Sequence, residues 1–288
     1  MHKSVKWLLV SLSALSLTAC ATTQQKQATS WSKIEKKGVL TVATPTTYQP
    51  TSYYNDKNQL VGYEVDMMKE VGKRLGVKVK FVETGFDQAF TSIDSGRADL
   101  SINNFDITNK RKAKYNMSIP YKYGVGGMIV RADGSSRLVK KDLSDWKGKK
   151  AAGAEGTEYM KVAKKQGATL VSYDNVANDV YLKDVALGRT DFIPNDYPAQ
   201  KLFVDFMKRQ NPSINVKMSD VLYNPTKQGI VMSKKDQSLL QKINPVIKAM
   251  MSDGSLKAIS EKYYAGQDLT KPFDKGAKIP VIKTNDVE

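Results

Sequence analysis

Two residue types that carry much of protein chemistry are almost missing from this 288-residue sequence, which has one histidine and one cysteine. The histidine is His2, at the start of the chain, and the cysteine is Cys20. Beyond Cys20 there is neither an imidazole nor a thiol. This excludes the usual zinc sites, Ser–His–Asp triads, Cys–His pairs and internal disulfides from the rest of the chain. We therefore expect no metal site and no cofactor.

The chain begins with an apolar run, WLLVSLSALSL at residues 7–17, that is too short to span a bilayer comfortably. Its length is typical of a signal peptide. It runs into LTAC at residues 17–20, which resembles the lipobox of bacterial lipoproteins. We therefore predict a signal peptide at residues 1–19, cut before a lipidated Cys20. An ordinary signal peptide with an incidental cysteine is the alternative.

Acidic residues are scarce relative to basic ones, with 29 Asp and Glu against 45 Lys and Arg, and the net charge is +16. Loss of Lys3 and Lys6 with the signal peptide would lower it by two, to +14. Such a charge could suit nucleic acid, but the lysines are scattered and form no long basic run or aromatic RNA motif. We expect no nucleic-acid partner and interpret the charge as a surface property.

Alternating strands and helices follow a polar tether at residues 20–32. The hydrophobic pattern predicts strands at residues 38–44, 77–84 and 98–102, helices at 62–76 and 86–96, and a tyrosine-containing loop at 44–60. An order of β-α-β-α-β implies a parallel sheet covered by helices.

The same order of elements returns at residues 149–196. Gly-Arg-x-Asp stands between a helix and a strand in both halves, in SGRADL (95–100) and in LGRTDF (187–192). The glycine suits the left-handed end of a helix. Two copies in matching contexts indicate two similar α/β lobes, as expected for a chain near the size limit of a single core.

The last third of the chain returns to helix, with two amphipathic helices at residues 238–266 broken at Asp253–Gly254. A chain that leaves one lobe, builds a second and returns needs two crossover segments. We place them near residues 120–130 and 220–232. Glycine-rich segments of this kind can act as hinges.

Four segments carry a resemblance to a known family, and they are GYEVDMMKEVGKRL, PYKYGVGGMIV, GRTDFIPNDYP and DGSLKAISEKYY. In this order they resemble the polar amino acid family of solute-binding proteins of ABC importers, over about residues 35–270. The resemblance implies an α/β fold of the periplasmic-binding-protein type II. Each of its two lobes is a sheet flanked by helices, and two hinge crossovers join the lobes.

The resemblance also implies a place and partners for the chain. It indicates a monomer that is lipid-anchored to the extracytoplasmic face of the bacterial membrane and delivers an amino acid to an ABC permease and its ATPase. The expected boundaries are residues 33–125 plus 229–270 for lobe 1, 126–228 for lobe 2 and 271–288 for a C-terminal tail.

Three residues fall on the family's main ligand contacts. Arg111 matches the arginine that binds the ligand carboxylate, for which a planar, bidentate guanidinium is suited. Thr108 lies on a hydroxyl position of the same motif, and Asp196 matches the aspartate that binds the ligand ammonium. From the residues alone, Arg111 could instead be a surface cation among lysines, and Asp196 a turn residue before Tyr-Pro.

Further pocket residues are expected in both lobes. The backbone N–H groups of Gly156 and Thr157, at a predicted helix start, could bind the carboxylate from the other side, although Thr157 could also act only as an N-cap. Tyr48 and Phe86 fall where family members place aromatic walls. Core packing is the alternative for these two rings.

Asn104 and Asp106 decide the expected ligand. Their stretch, INNFDIT, looks more like that of cystine-binding members than of the rest of the family. Aliphatic ligands would leave these polar groups unpaired, and acidic ligands would meet Asp106. We therefore expect cystine, and the alternatives are cationic or polar amino acids such as arginine, histidine and glutamine.

Two other classes of function are considered. An enzyme on the same two-lobed fold, such as a dehydratase, would be limited to carboxylates and lysines for acid–base work. We see no paired carboxylates with a catalytic signature and expect no enzyme. Adhesion to mucus or matrix glycoproteins, alone or as a second activity, would draw on the positive charge.

Overall fold

The structure is a computed structural model, and it describes residues 30–173, 176–273, 279–284 and 286–287. The predicted signal peptide, Cys20 and nearly all of the predicted tether lie outside the described residues. None of the described helices is both long and apolar enough to cross a membrane.

Helices and strands alternate along most of the described chain. The helices are α1 (Ser30–Lys37), α2 (Tyr63–Leu75), α3 (Gln88–Asp94), α4 (Asn109–Lys114), α5 (Glu158–Lys165), α6 (Asn178–Ala186), α7 (Tyr197–Gln210), α8 (Gln237–Ser252) and α9 (Ser255–Tyr263), with a 3-10 turn at Ser144–Trp146. The strands are β1 (Val39–Thr44), β2 (Thr47–Tyr48), β3 (Ser52–Tyr54), β4 (Leu60–Val61), β5 (Lys78–Glu83), β6 (Leu100–Ser101), β7 (Tyr115–Met117), β8 (Lys122–Val130), β9 (Lys150–Gly153), β10 (Thr169–Ser172), β11 (Phe192–Asp196), β12 (Lys217–Met218), β13 (Tyr223–Gln228) and β14 (Val231–Ser233).

Lobe 1, as we call it here, is built on a sheet of five strands in the order β5-β1-β6-β14-β7. Strand β1 is parallel to β5 and β6, as the sequence predicts. Strand β14 is antiparallel to both β6 and β7. The three strands of the predicted β-α-β-α-β order are therefore parallel as expected, but the whole sheet is mixed, because a strand that returns from the other lobe enters it in the opposite direction.

Lobe 2 is built on a second sheet, in the order β10-β9-β11-β8-β12, with β13 also paired to β8. Strands β9, β10 and β11 are parallel, whereas β8 is antiparallel to β11, β12 and β13. The chain leaves lobe 1 through β8 and returns after β13. The two predicted crossovers are thus neighbouring strands that pair with each other.

Helix α2 shows how the sequence sets the core of lobe 1. Its buried face carries Val65, Met68 and Val71, which recur at helical spacing. The helix ends at Gly76, whose left-handed φ of 70° lets its N–H reach carbonyls of the last turn. Full burial of each such apolar side chain stabilises the fold by about 1.5–3 kcal/mol. The predicted helix at residues 62–76 is confirmed.

The predicted loop at residues 44–60 holds a small sheet instead. Strands β2, β3 and β4 pair antiparallel within it. The turn into α2 needs Gly62, because a Cβ at this position would lie 2.2 Å from the carbonyl oxygen of Thr51. This small sheet places Tyr48 beside the space between the lobes.

Described residues of the C-terminal segment contact both lobes. Leu269 is buried in the core of lobe 1. Further along, the carbonyl oxygen of Ile282 accepts a 2.9 Å hydrogen bond from the side chain of Asn224, and Lys165 pairs with Asp286 at 2.6 Å in lobe 2. The exact lobe and tail boundaries given above stay predictions.

Candidate functional site

A cavity of about 300 Å³ lies between the lobes. Its walls are formed mainly by segments that follow the carboxyl ends of strands, where open α/β sheets bind ligands. The lining residues in lobe 1 are Pro45, Thr46, Thr47, Tyr48, Glu83, Thr84, Gly85, Phe86, Gln88, Asn103, Asn104 and Asp106. Those in lobe 2 are Gly153, Ala154, Thr157, Glu158, Tyr159, Tyr173, Val176, Asn178, Tyr181, Pro194 and Asn195.

The charged groups that line this cavity are acids. They are Glu83, Asp106 and Glu158, and no lysine or arginine is among the described lining residues. Burial raises the pKa of Asp106 to about 7, although Arg111 acts in the opposite direction. Burial also opposes ionisation of Glu158, but hydrogen bonds from Lys161 and Thr284 hold its pKa below the usual value. The charged part of the cavity wall is therefore acidic among the described residues.

Arg111 lies beside the cavity, and the alternative of an exposed surface arginine is wrong because only 8% of this residue is exposed. Thr108 is the N-cap of helix α4, and its hydroxyl accepts the backbone N–H of Arg111 at 3.1 Å. The guanidinium donates from Nη1 to the carbonyl of Asp106 at 2.9 Å and from Nη2 to the carbonyl of Gly156 at 3.4 Å. The second of these bonds joins the two lobes.

Three phenylalanine rings surround the guanidinium of Arg111. Its Cζ lies 5.5 Å from the ring centre of Phe86, 5.8 Å from that of Phe90 and 5.6 Å from that of Phe105. These distances suit cation–π attraction. The rings thus hold the guanidinium in a partly desolvated place, where its attraction to an anion is stronger than in water.

Asp196 is the last residue of β11 and the N-cap of α7. It is fully buried, and its Oδ2 accepts hydrogen bonds from the N–H of Ala199 at 3.3 Å and from the Nζ of Lys122 at 2.8 Å. Its Oδ1 has no hydrogen-bond partner among the described residues. Asp196 therefore caps helix α7 and also supplies a buried carboxylate at the end of β11.

Two residues of this site were missed by the sequence reasoning. Lys122 looks like one more of many lysines, and Glu64 looks like an acid at the start of a helix. In the fold, Glu64 is fully buried, and its Oε1 accepts the N–H of Asn104 at 2.7 Å and the hydroxyl of Tyr121. Burial raises the pKa of Glu64 to about 7, against the effects of these hydrogen bonds and of Lys122.

The predicted site residues fall into two groups. Tyr48, Phe86, Asn104, Asp106 and Thr157 line the cavity. The other predicted residues, Thr108, Arg111, Gly156 and Asp196, stand behind its walls, and Thr108 lines a separate cavity under the C-terminal segment.

Thr157 caps helix α5, and this role can coexist with the predicted contact to a ligand carboxylate. Its hydroxyl accepts the N–H of Met160 at 3.2 Å and donates to the carbonyl of Ala154 at 3.1 Å. The sequence reasoning did not find Tyr159, Tyr173 and Tyr181 in the walls, because tyrosines on separate elements give no local pattern. No cluster of three or more metal-binding side chains occurs within the part of the chain that the structure describes.

Comparison with known proteins connects this geometry to a family. The model of the bacterial extracellular solute-binding proteins, family 3, matches residues 40–266. The chain belongs to this family. The family is one of solute-binding proteins, and this agrees with the expectation that the chain is not an enzyme.

Two relatives of this family 3 protein come from Bacillus subtilis (strain 168). The probable ABC transporter extracellular-binding protein YckB is 43% identical over 266 residues, which cover 90% of this chain and 91% of YckB. The L-cystine-binding protein TcyA is 32% identical over 279 residues, which cover 94% of this chain and 100% of TcyA.

Solved structures share the two-lobed fold. The crystal structure of YckB matches with a TM-score of 0.68, over 88% of this chain and 99% of that one. AbpA, an amino acid ABC transporter substrate-binding protein of Streptococcus pneumoniae Canada MDR_19A solved with L-arginine, is 26% identical with a TM-score of 0.71, over 81% of this chain and 97% of that one. The family 3 protein therefore has the expected α/β fold, with two mixed sheets flanked by helices.

Proposed function

We propose that this protein, an extracellular amino-acid-binding component of an ABC transporter, binds cystine. The observation that carries the proposal is the acidic and aromatic character of the cavity between the lobes. Cystine has a second ammonium group at its far end and a disulfide between its two halves. An acidic wall suits the second ammonium group, and aromatic rings make favourable contacts with the sulfur atoms of the disulfide.

One carboxylate, both ammonium groups and the disulfide of cystine have proposed partners near the cavity. In this proposal Arg111 binds one carboxylate and Asp196 the adjacent ammonium, for which its Oδ1 is unpaired within the described residues. Asp106 or Glu158 takes the far ammonium, and Tyr48 and Phe86 lie against the disulfide. The name of the 32% identical relative TcyA, an L-cystine-binding protein, also supports this ligand.

Arginine is the second candidate, and one observation favours it. A guanidinium would meet the same acids, since no lysine or arginine is among the described lining residues. AbpA, which has the same fold, was solved with L-arginine bound. Histidine and glutamine would use fewer of the acidic groups, and we rank them lower.

The test is a thermal-shift screen of the purified protein against all amino acids and cystine, followed by competition calorimetry. A ligand that binds only the folded state raises the unfolding midpoint. We expect cystine to bind and to be displaced poorly by arginine. Micromolar arginine binding without any heat from cystine would overturn the cystine assignment, and no response to any amino acid would contradict the ligand class.

We further propose that the thiol of Cys20 is lipidated and that the monomer serves a permease and its ATPase from the membrane surface. Support comes from LTAC after an apolar run. Cys20→Ser should leave the signal peptide uncut or release the protein into the medium. Full membrane retention of a cleaved Cys20→Ser protein would contradict lipidation. Adhesion remains a separate prediction, which would depend on salt and not on Arg111.

A further inference from the structure

Lys122 lies next to the proposed ammonium site with no exposed surface. Its Nζ is 2.8 Å from the Oδ2 of Asp196 and 3.2 Å from the Oδ1 of Asn104. It also lies 5.5 Å from the ring centre of Tyr264. A buried lysine is rare unless it is paired. The partner of Lys122 is Asp196, the carboxylate that we propose as the partner of the ligand ammonium.

Lys122 belongs to a network of hydrogen bonds that connects the two lobes. The backbone N–H of Asn104 donates to Glu64 at 2.7 Å, and the Oδ1 of Asn104 accepts from Lys122, which pairs with Asp196. Each of the two carboxylates has one buried oxygen without a hydrogen-bond partner among the described residues, the Oε2 of Glu64 and the Oδ1 of Asp196.

Charge in this network is unbalanced only when Glu64 is ionised, and burial raises the pKa of Glu64 to about 7. When Glu64 and Asp196 are both ionised, they carry two negative charges against the single positive charge of Lys122. One further cation would complete the balance, and the unpaired Oδ1 of Asp196 can accept a hydrogen bond from it. Without Lys122, the same two carboxylates would stand as like charges in a buried place, where repulsion is strong.

We propose that Lys122 is a specificity-determining residue, which shares Asp196 with the ligand and sets how strongly the ligand's α-ammonium is recognised. This inference rests on the proposed function of the cavity between the lobes. Lys122 holds one oxygen of Asp196 and repels a second ammonium, so the ligand ammonium adds less to the affinity than it would beside an unshared aspartate. The affinity of the cavity for its ligand then depends more on the remaining groups of the ligand.

A purely structural role for Lys122 makes a different prediction. Removing one partner of a buried ion pair destabilises a protein whatever the ligand is. Such damage would weaken a ligand and its ammonium-free analogue to the same degree. The ratio of the two affinities therefore separates recognition of the ammonium from damage to the fold.

The experiment measures this ratio by calorimetry in the unaltered protein and in Lys122→Met. The probes are L-cystine against 3,3′-dithiodipropionate, which lacks both ammonium groups, and L-arginine against 5-guanidinopentanoate, which lacks the α-ammonium. We expect the ratio of the affinity for the amino acid to the affinity for its analogue to be at least about tenfold larger in Lys122→Met, as for a close charge pair. Lys183→Met, which removes a surface lysine paired with Asp179, should leave the ratio unchanged.

Lys122→Gln serves as the second variant, because it removes the charge but retains a hydrogen-bond donor if the methionine variant folds poorly. Circular dichroism and the unfolding midpoint check both variants. A ratio within about twofold of the unaltered protein would overturn the inference and leave Lys122 a structural residue. Failure of both amino acids to bind the unaltered protein would instead overturn the proposed function, and this inference with it.

Discussion

The hydroxyl of Tyr48 in lobe 1 donates a 3.3 Å hydrogen bond to the Oδ1 of Asn195 in lobe 2. Both residues line the cavity, and the bond from Arg111 to the carbonyl of Gly156 joins the lobes at another point. The lobes thus contact each other around the space proposed for the ligand. Such contacts between the lobes stabilise this closed arrangement relative to an open one.

The bond between Tyr48 and Asn195 leads to the first prediction. Tyr48→Phe keeps the ring in the wall but removes a hydrogen bond that exists only when the lobes are closed. We expect about 1 kcal/mol less ligand affinity, which is roughly fivefold, measured by calorimetry. Tyr54→Phe alters a half-exposed tyrosine of the same small sheet and should change nothing. Equal affinities of Tyr48→Phe and the unaltered protein would show that the bond does not stabilise closure.

The second prediction concerns Arg111. Arg111→Lys keeps a positive charge but loses the planar fork that binds a carboxylate through two parallel bonds. We expect ligand affinity to fall by at least about 30-fold, or roughly 2 kcal/mol. Calorimetry with the ligand found by the thermal screen measures it. Arg97→Lys, an exposed arginine of the repeated Gly-Arg-x-Asp motif, is the matched control, and similar losses in both variants would refute a carboxylate site at Arg111.

Much of this architecture could be predicted from local patterns. The repeated Gly-Arg-x-Asp motif and the two sets of alternating elements indicate two α/β lobes, and Arg111 and Asp196 stand after strands of different lobes. The pairing of Lys122 with Asp196 could not be found this way, since 74 positions separate the two residues. Their contact depends on how the crossover strand β8 lies beside β11, which is set by the packing of whole sheets. The antiparallel entry of β14 is hidden for the same reason.

The stability of the ligand-free protein should depend on pH through Glu64. Its pKa is about 7 in the fold against an ordinary value of 4.5, so the folded protein retains a proton that the unfolded chain loses. The stabilisation is complete below about pH 4.5 and is lost as the pH rises to about 7, by up to about 1.4 kcal/mol per pKa unit. Asp106, whose pKa is also about 7 in the fold, acts in the same direction.

Glu64→Gln should therefore flatten the fall in stability between pH 4.5 and pH 7, as measured by urea unfolding at several pH values. The slope that remains belongs to Asp106 and the other acids. Glu35→Gln, at an exposed position of α1, should keep the original slope. A Glu64→Gln protein with an unchanged slope would mean that Glu64 is ionised in the fold throughout this range.

Two glycines of β8, Gly124 and Gly126, face different neighbours. A Cβ at position 124 would lie 2.3 Å from the Oδ1 of Asp196, whereas one at position 126 would lie 2.5 Å from the ring of Tyr223 in the core of lobe 2. Gly124→Ala should displace the carboxylate from its pairing with Lys122 and weaken ligand binding more than it lowers the unfolding midpoint. Gly126→Ala should lower the midpoint, because a packed ring must move, with less effect on affinity. If the two variants lose affinity and stability in the same proportion, the position of Asp196 Oδ1 has no special part in binding the ligand ammonium.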